Sequence, residues 1–272
     1  MAGSLPNGWL RRIAGNEQGS AFALRPKPAA RCLAKSKISR ASISTNACGG
    51  VKERVIVTMM SKLVLGMMGQ LRPKPAKGGA TPSISLPPAR RHGGLALMDA
   101  LAKRSSSRDF ARDALPLGLL SELLWAAYGV NRADGGRTAP SALNAQEVDV
   151  FVALPAGAYI YDAAAHALHL VAASDLRRVT GYQDFVDEAP MDLVYVADHR
   201  RMGLVPVGRR EAYAYAAAGA ISQNVYLFAA SAGLATVIRA WIDCDAIADA
   251  LGLPHDQQVL LSQTVGYPKA AR

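Results

Sequence analysis

Residues 210–232, REAYAYAAAGAISQNVYLFAASA, constrain this chain more than any other stretch. Alanine interleaved with aromatic and branched residues predicts one long, largely buried helix, which Gly233 ends. A helix apolar on so many faces needs cover on several sides. One sheet of the size this chain can build does not supply it, so part of the helix should meet a partner, a second copy being the simplest.

The segments around it supply that sheet. VDVFVAL (148–154) and DLVYVAD (192–198) read as strands. AYIYD (158–162) and HALHLVA (166–172) read as a hairpin, and ATVIRAW (235–241) and QQVLLSQTVGY (257–267) as further strands. Helices are predicted over 95–103, over 117–127 with Gly129 as the C-terminal cap, and from Asp243 to just before Gly252. The pattern is α+β, a mostly antiparallel central sheet flanked by helices.

Everything before Gly93 is different. The formal net charge is +10, which by itself suggests an anionic partner. Residues 1–92 carry 16 Lys and Arg against 2 Asp and Glu, whereas 93–272 carry 15 against 19. The positive charge belongs to the N-terminal segment, and a nucleic-acid partner loses its support once the halves are separated. Residues 1–92 are rich in Ser, Ala, Pro and Gly, with RPKP at 25–28 and 72–75. They are expected to be a disordered extension before a folded 93–272 domain. A targeting segment and an over-called start at Met59 or Met60 both fit this composition. The apolar run 55–68 is too short to span a bilayer, so no membrane partner is expected. The expected location is the cytoplasm, or outside it if the extension is a signal. Cys32, Cys48 and Cys244 match no zinc or disulfide spacing, and no metal is expected.

Two stretches carry candidate chemistry. KRSSSRDF (103–110) sets Arg104 and Arg108 around Ser105, Ser106 and Ser107 at the C-terminal end of a predicted helix. The helix dipole there opposes an anion, so any anion site must be built by side chains. The stretch reads either as a solvated turn or as a forked, charge-assisted phosphate clamp. GGRTAPSALNAQEVDVFVAL (135–154) runs from a glycine loop into a strand. Asn144 and Gln146 could offer amide groups to one ligand, or belong to an ordinary polar loop. The aromatics Tyr213, Tyr215, Tyr226 and Phe228 read as core or dimer packing.

In this order LMDALAKRSSSRDF, LSELLWAAYGVNR, RTAPSALNAQEVDVFVA, GLATVIRAW and TVGYP resemble the FMN-dependent nitroreductase family, close to its SagB/thiazoline-oxidase-type dehydrogenases. The resemblance implies a nitroreductase-like homodimer with FMN as cofactor and NAD(P)H as electron donor. It assigns the FMN phosphate to Arg104, Ser105, Ser106 and Arg108, with Lys269 and Arg272 as further basic candidates. It assigns the flavin ring to the backbone of Val237, Ile238, Arg239, Ala240 and Trp241. Pro140, Ser141 and Asn144 would reach the flavin of the other subunit. Glu147 departs from the family, where proline is frequent. The activity implied is ping-pong reduction of a nitroaromatic, quinone or similar small acceptor. A peptide-azoline dehydrogenase and a flavin-binding protein without turnover are the alternatives. No catalytic acid or base is named, because such a cycle needs none from the protein.

Overall fold

The structure is a computed structural model that describes residues 80–269, together with 72–75 and Val64. The repeat at 25–28, Arg272 and, apart from Val64, the run 55–68 lie outside the described residues.

In chain order the elements are β1 (Lys74–Pro75), β2 (Ser83–Ser85), α1 (Leu97–Lys103), α2 (Leu117–Tyr128), β3 (Val148–Leu154), β4 (Gly157–Asp162), β5 (Ala167–Ala172), β6 (Ser174–Asp175), α3 (Phe185–Glu188), β7 (Met191–Asp198), α4 (Val207–Ala232), β8 (Ala235–Arg239), α5 (Cys244–Leu251) and β9 (Gln257–Gly266). Seven strands form one sheet in the order β2-β5-β4-β3-β7-β9-β8, every neighbouring pair antiparallel. β1 and β6 form a separate two-stranded ribbon. Among the described residues no helix is long and apolar enough to cross a membrane.

β7 shows why the sheet lies in the middle. All eight of its residues are buried, and apolar side chains occupy both parities. Leu193 and Tyr195 join Val148, Val150 and Val152 beneath α2 and α4, where Leu123, Leu124, Ile221 and Val225 are fully shielded. Val194 and Val196 join Phe151 and Val259 on the opposite face, against Ile247 and Leu251 of α5. A strand covered on both faces reads as a continuous apolar run, and this one does. The predicted cap holds at α5, where Asp243 Oδ1 accepts from Ala246 N at 3.0 Å. Gly233 ends α4 in the left-handed conformation, at φ 70.

Gly129 caps α2 as expected, its N–H donating to Trp125 O at 2.8 Å, with an extended backbone at φ −69 and ψ 162. A Cβ there would meet Trp125 at 2.4 Å, and close approach is the reason for the glycine. Two expectations change. β8 stops at Arg239, because Ala240 and Trp241 turn out of the sheet toward α5. The domain also begins before Gly93. β2 pairs with β5, Leu86 is buried, and Leu86 N donates to His166 O. The buried Ser121 hydroxyl donates to Pro87 O at 2.5 Å and lies 2.7 Å from His166 Nε2. His166 Nδ1 in turn faces Tyr161 Oη at 2.9 Å. Proline and serine hide this segment as a strand, since three residues carry too little periodicity to read.

One buried network fixes the β8 edge. Arg239 Nη2 donates to Asp192 Oδ1 on β7 at 2.6 Å and to Thr264 Oγ1 on β9 at 2.8 Å, and Nη1 donates to Thr180 O at 2.9 Å. Thr264 Oγ1 also donates to Asp192 Oδ1. Burial raises the Asp192 pKa and lowers that of Arg239, and the opposite charge of each resists the shift.

Glu147, at the mouth of β3, has no such partner. Its side chain is fully shielded, and among the described residues neither carboxylate oxygen has a hydrogen-bond partner. Burial raises its pKa, opposed by its own backbone amide and by the charges of Arg201 and His199. A raised folded pKa means that the fold favours the neutral acid. That contribution is full below the unfolded value of about 4.3 and is lost as pH rises through the folded pKa.

Two outcomes follow for stability. Glu147→Gln should unfold about 2–4 °C above the parent at pH 7.5, the shift that ~1 kcal/mol produces in a domain of this size. The gap should close toward pH 4, and a pH series of melting curves checks both points. Deleting residues 1–58 should leave the melting temperature unchanged. Deleting 1–88 removes β2 and the Pro87 carbonyl, and should lower it by several degrees at about 1–3 kcal/mol per orphaned buried group.

Candidate functional site

The KRSSSRDF stretch leaves α1 at Arg104, whose backbone is extended (φ −55, ψ 121) and whose N–H still caps the helix on Ala100 O. Phe110, which ends the stretch, is buried against Phe185 with ring centroids 5.5 Å apart. It packs with Ala235 and Val237 of β8 and so pins the turn beside that strand. β8 is the edge of the sheet, with β9 on one side only. The turn fills the other side. Ser107 N donates to Thr236 O at 3.0 Å, and Tyr226 Oη of α4 accepts from Ile238 N at 3.0 Å. The same Tyr226 hydroxyl lies 2.8 Å from Ser106 Oγ, and the Arg104 guanidinium sits 5.4 Å from the centre of its ring.

The chain end after β9 returns to the same place. Ala111 N donates to Tyr267 O, and Lys269 N donates to Asp109 O at 3.1 Å. Of the candidate phosphate residues, Arg104, Ser105, Ser106, Arg108 and Lys269 therefore share one turn and its neighbour. Arg272 lies outside the described residues. Arg108, Ser105, Ser106 and Lys269 are solvent-exposed, and Arg108 has no hydrogen bond or ion pair among the described residues. Two guanidinium groups, an ammonium and serine hydroxyls at one turn are a donor set suited to a phosphate monoester.

The ring-side strand is built as two halves. Val237 is buried in the cluster under the turn, and Ile238 directs its N–H outward. Arg239 turns its side chain into the buried network, and its backbone pairs with Ser262 of β9. Ala240 and Trp241 are exposed beyond the strand, with Trp241 edge-on to Tyr182 at 5.5 Å.

The second candidate cluster lies elsewhere. Pro140, Ser141 and Ala142 line a groove of about 160 Å³ with Tyr213, Ala216 and Ala217. Tyr213 and Tyr226 are thirteen residues apart on α4, roughly 20 Å at the helical rise of 1.5 Å per residue. One chain therefore does not bring the Pro140–Ser141–Asn144 loop to its own arginine–serine turn. The loop itself is tightly wound, with Leu143, Asn144 and Gln146 all at positive φ (55, 52 and 49). Ser141 Oγ accepts from Gln146 N at 2.9 Å. The Gln146 amide is engaged within the loop, accepting from Arg137 Nε and donating to Gly135 O and Asn144 Oδ1. It is a scaffold for Asn144 rather than a second ligand group. A cavity of about 590 Å³ opens beside this loop and is lined by Arg137, Asn144, Asp149 and Arg201 among others. Its arginines are committed, Arg201 to Asp149 at 2.8 and 2.9 Å and Arg137 to Gln146. Among the described residues the turn, by contrast, carries an arginine, Arg108, without an ion pair.

Sequence reasoning set core or dimer packing above a substrate cage for Tyr226 and did not read the contacts of its hydroxyl with the turn and β8. The Arg239–Asp192 pair was also unread, although an acid opening the apolar run of DLVYVAD and a lone arginine in ATVIRAW each signal a buried counter-charge.

The chain is similar to proteins of one known family. A family model described as the nitroreductase family matches residues 101–267. A Methanocaldococcus jannaschii protein, provisionally described as a nitroreductase, is 32% identical over 169 residues, spanning 58% of this chain and 84% of that one. The 2.00 Å crystal structure of a protein from Ralstonia eutropha JMP134, likewise provisionally described, is 50% identical with a TM-score of 0.71. The match covers 74% of this chain and 96% of that chain. A chain of the E. coli microcin synthetase complex shares the fold alone, at 16% identity and a TM-score of 0.54 over 80% of this chain and 94% of that one. The matched span runs from α1 through β9, carrying the turn, the loop and the edge strand together, and the chain belongs to the nitroreductase family.

Proposed function

We propose that the protein is an FMN-dependent NAD(P)H oxidoreductase acting on a nitroaromatic, quinone or similar small acceptor. The observation that carries this reading is the convergence of Arg104, Ser106, Arg108 and Lys269 on a turn bonded to the sheet's edge strand. Bound there, FMN supplies two-electron chemistry for a ping-pong cycle in which NAD(P)H is oxidised and leaves before the acceptor is reduced. Arg104, Arg108 and Lys269 neutralise the phosphate, and Ser105 and Ser106 donate to it. The backbone of 237–241 would lie along the ring, with the Ile238 N–H already taken by Tyr226 and Trp241 exposed beyond the strand. No side chain is assigned as acid or base.

The reading includes a homodimer with two sites, each taking its turn from one chain and its Pro140–Ser141–Asn144 loop from the other. The separation of the two clusters along α4 supports it. So does the apolar surface that a single chain leaves exposed. Leu97 and Met98 of α1 are 63% and 73% exposed, and Val207, Tyr213 and Tyr215 of α4 are exposed as well. Small-molecule substrates are the expected partners beyond the second copy, with neither nucleic acid nor membrane involved.

The purified protein should be yellow and release close to one FMN per chain on denaturation, with FAD or no flavin refuting the proposal. Arg108→Glu should keep the fold, since Arg108 is exposed and has no hydrogen bond or ion pair among the described residues. Its FMN affinity should fall by about two orders of magnitude, several kcal/mol on the scale of charge-assisted bonds. Flavin-fluorescence titration measures this, and unchanged affinity places the phosphate elsewhere. Mixing Arg108→Glu chains with Asn144→Ala chains tests the shared site. A heterodimer gathers both lesions at one site and leaves the other whole, so activity should return. No recovery despite confirmed chain exchange means that each site is built from one chain.

A further inference from the structure

We propose that Tyr226 is a positioning residue of the flavin site, its hydroxyl relaying the Ile238 N–H to Ser106 and aiming the serine proton at the phosphate. The inference rests on the flavin reading given above and concerns a residue that touches no cofactor itself. Tyr226 is 6% exposed on α4, and a buried tyrosine needs only one partner for its hydroxyl. This one has two, and both belong to the proposed site. Ile238 N lies 3.0 Å away and Ser106 Oγ 2.8 Å away.

The direction of the chain follows from what each group can do. A backbone N–H only donates, so the phenol oxygen is the acceptor toward Ile238. The phenol hydrogen is then free for Ser106 Oγ. With that lone pair engaged, the Ser106 hydrogen points away from the protein, where a dianionic phosphate is the strongest acceptor the turn could meet. Each donor in such a chain sharpens the next, because accepting a bond makes a hydroxyl a better donor. The Arg104 guanidinium over the Tyr226 ring, at 5.4 Å, keeps one cation of the clamp in register with the relay. The relay also fixes Ser106, an exposed side chain, before any ligand arrives, so less rotamer freedom is lost on binding.

The relay ends on the phosphate, so it should discriminate FMN from riboflavin, which has the same ring and no phosphate. The protein as purified is stripped of flavin, and both ligands are titrated into the parent, Tyr226→Phe, Ser106→Ala and the double variant. Circular dichroism and melting curves confirm that each is folded. Tyr226→Phe should lower FMN affinity about tenfold, the scale of one hydrogen bond to a charged group. Riboflavin affinity should change far less, and the double variant should be no weaker than Ser106→Ala alone. A second substitution guards against a misfolded phenylalanine variant. 3-Fluorotyrosine at position 226 keeps the hydroxyl, strengthens its donation and should raise the FMN-to-riboflavin affinity ratio. Equal loss of FMN and riboflavin, additive losses in the double variant, or an unchanged ratio with 3-fluorotyrosine would overturn the relay while the flavin reading stands. A parent protein that binds neither ligand would overturn both.

Discussion

The buried pair between Arg239 and Asp192 is the interaction on which the rest of the site depends. It spans three strands, from β7 across Thr264 of β9 to β8. A five-residue edge strand with one neighbour has few bonds of its own, and a pair this deep fixes its register. Removing either partner would strand a charge in a dry interior, a loss of about 3–5 kcal/mol. The penalty makes the arrangement unforgiving, and so it holds β8 at one height relative to the turn. Everything assigned to cofactor binding is measured from that height: Ser107 on Thr236, Tyr226 on Ile238, and Lys269 arriving from the end of β9.

The long helix sets the other distance. Its C-terminal half carries Tyr226 beneath the turn, and its N-terminal half carries Tyr213, Ala216 and Ala217 beside the Pro140–Ser141 loop. Because a helix is rigid along its axis, these two groups of residues keep a separation that no side-chain rearrangement closes. An apolar surface left open on the same helix and on α1 is what a second copy would cover.

The fold was largely legible because its elements announce themselves locally. VDVFVAL and DLVYVAD are long apolar runs, REAYAYAAAGAISQNVYLFAASA is a long run before a glycine, and Asp243 sits where a cap should. What was not legible depended on distant pairing. Ser83–Ser85 is a strand only because β5 offers it an edge, and its own residues favour a loop. Gly129 is demanded by the Trp125 side chain, which sequence spacing does not reveal. At the site, the arginine–serine turn was readable from charge and hydroxyl density. The inward use of Gln146 and the double role of the Tyr226 hydroxyl were not, since both depend on what stands opposite in space.

The turn beside β8 has one further consequence. Unpaired strand edges invite pairing with other chains, and proteins cover them. On one side the sheet is closed by β2, three residues long; on the other the 104–107 turn and the Tyr226 hydroxyl occupy the outward groups of β8. The clamp assigned to a small anion is therefore also the guard rail of the sheet. Sequence drift that loosens it uncovers a sticky border at the same moment that it loses its ligand. If the turn holds the proposed phosphate, solubility and cofactor retention depend on the same few residues.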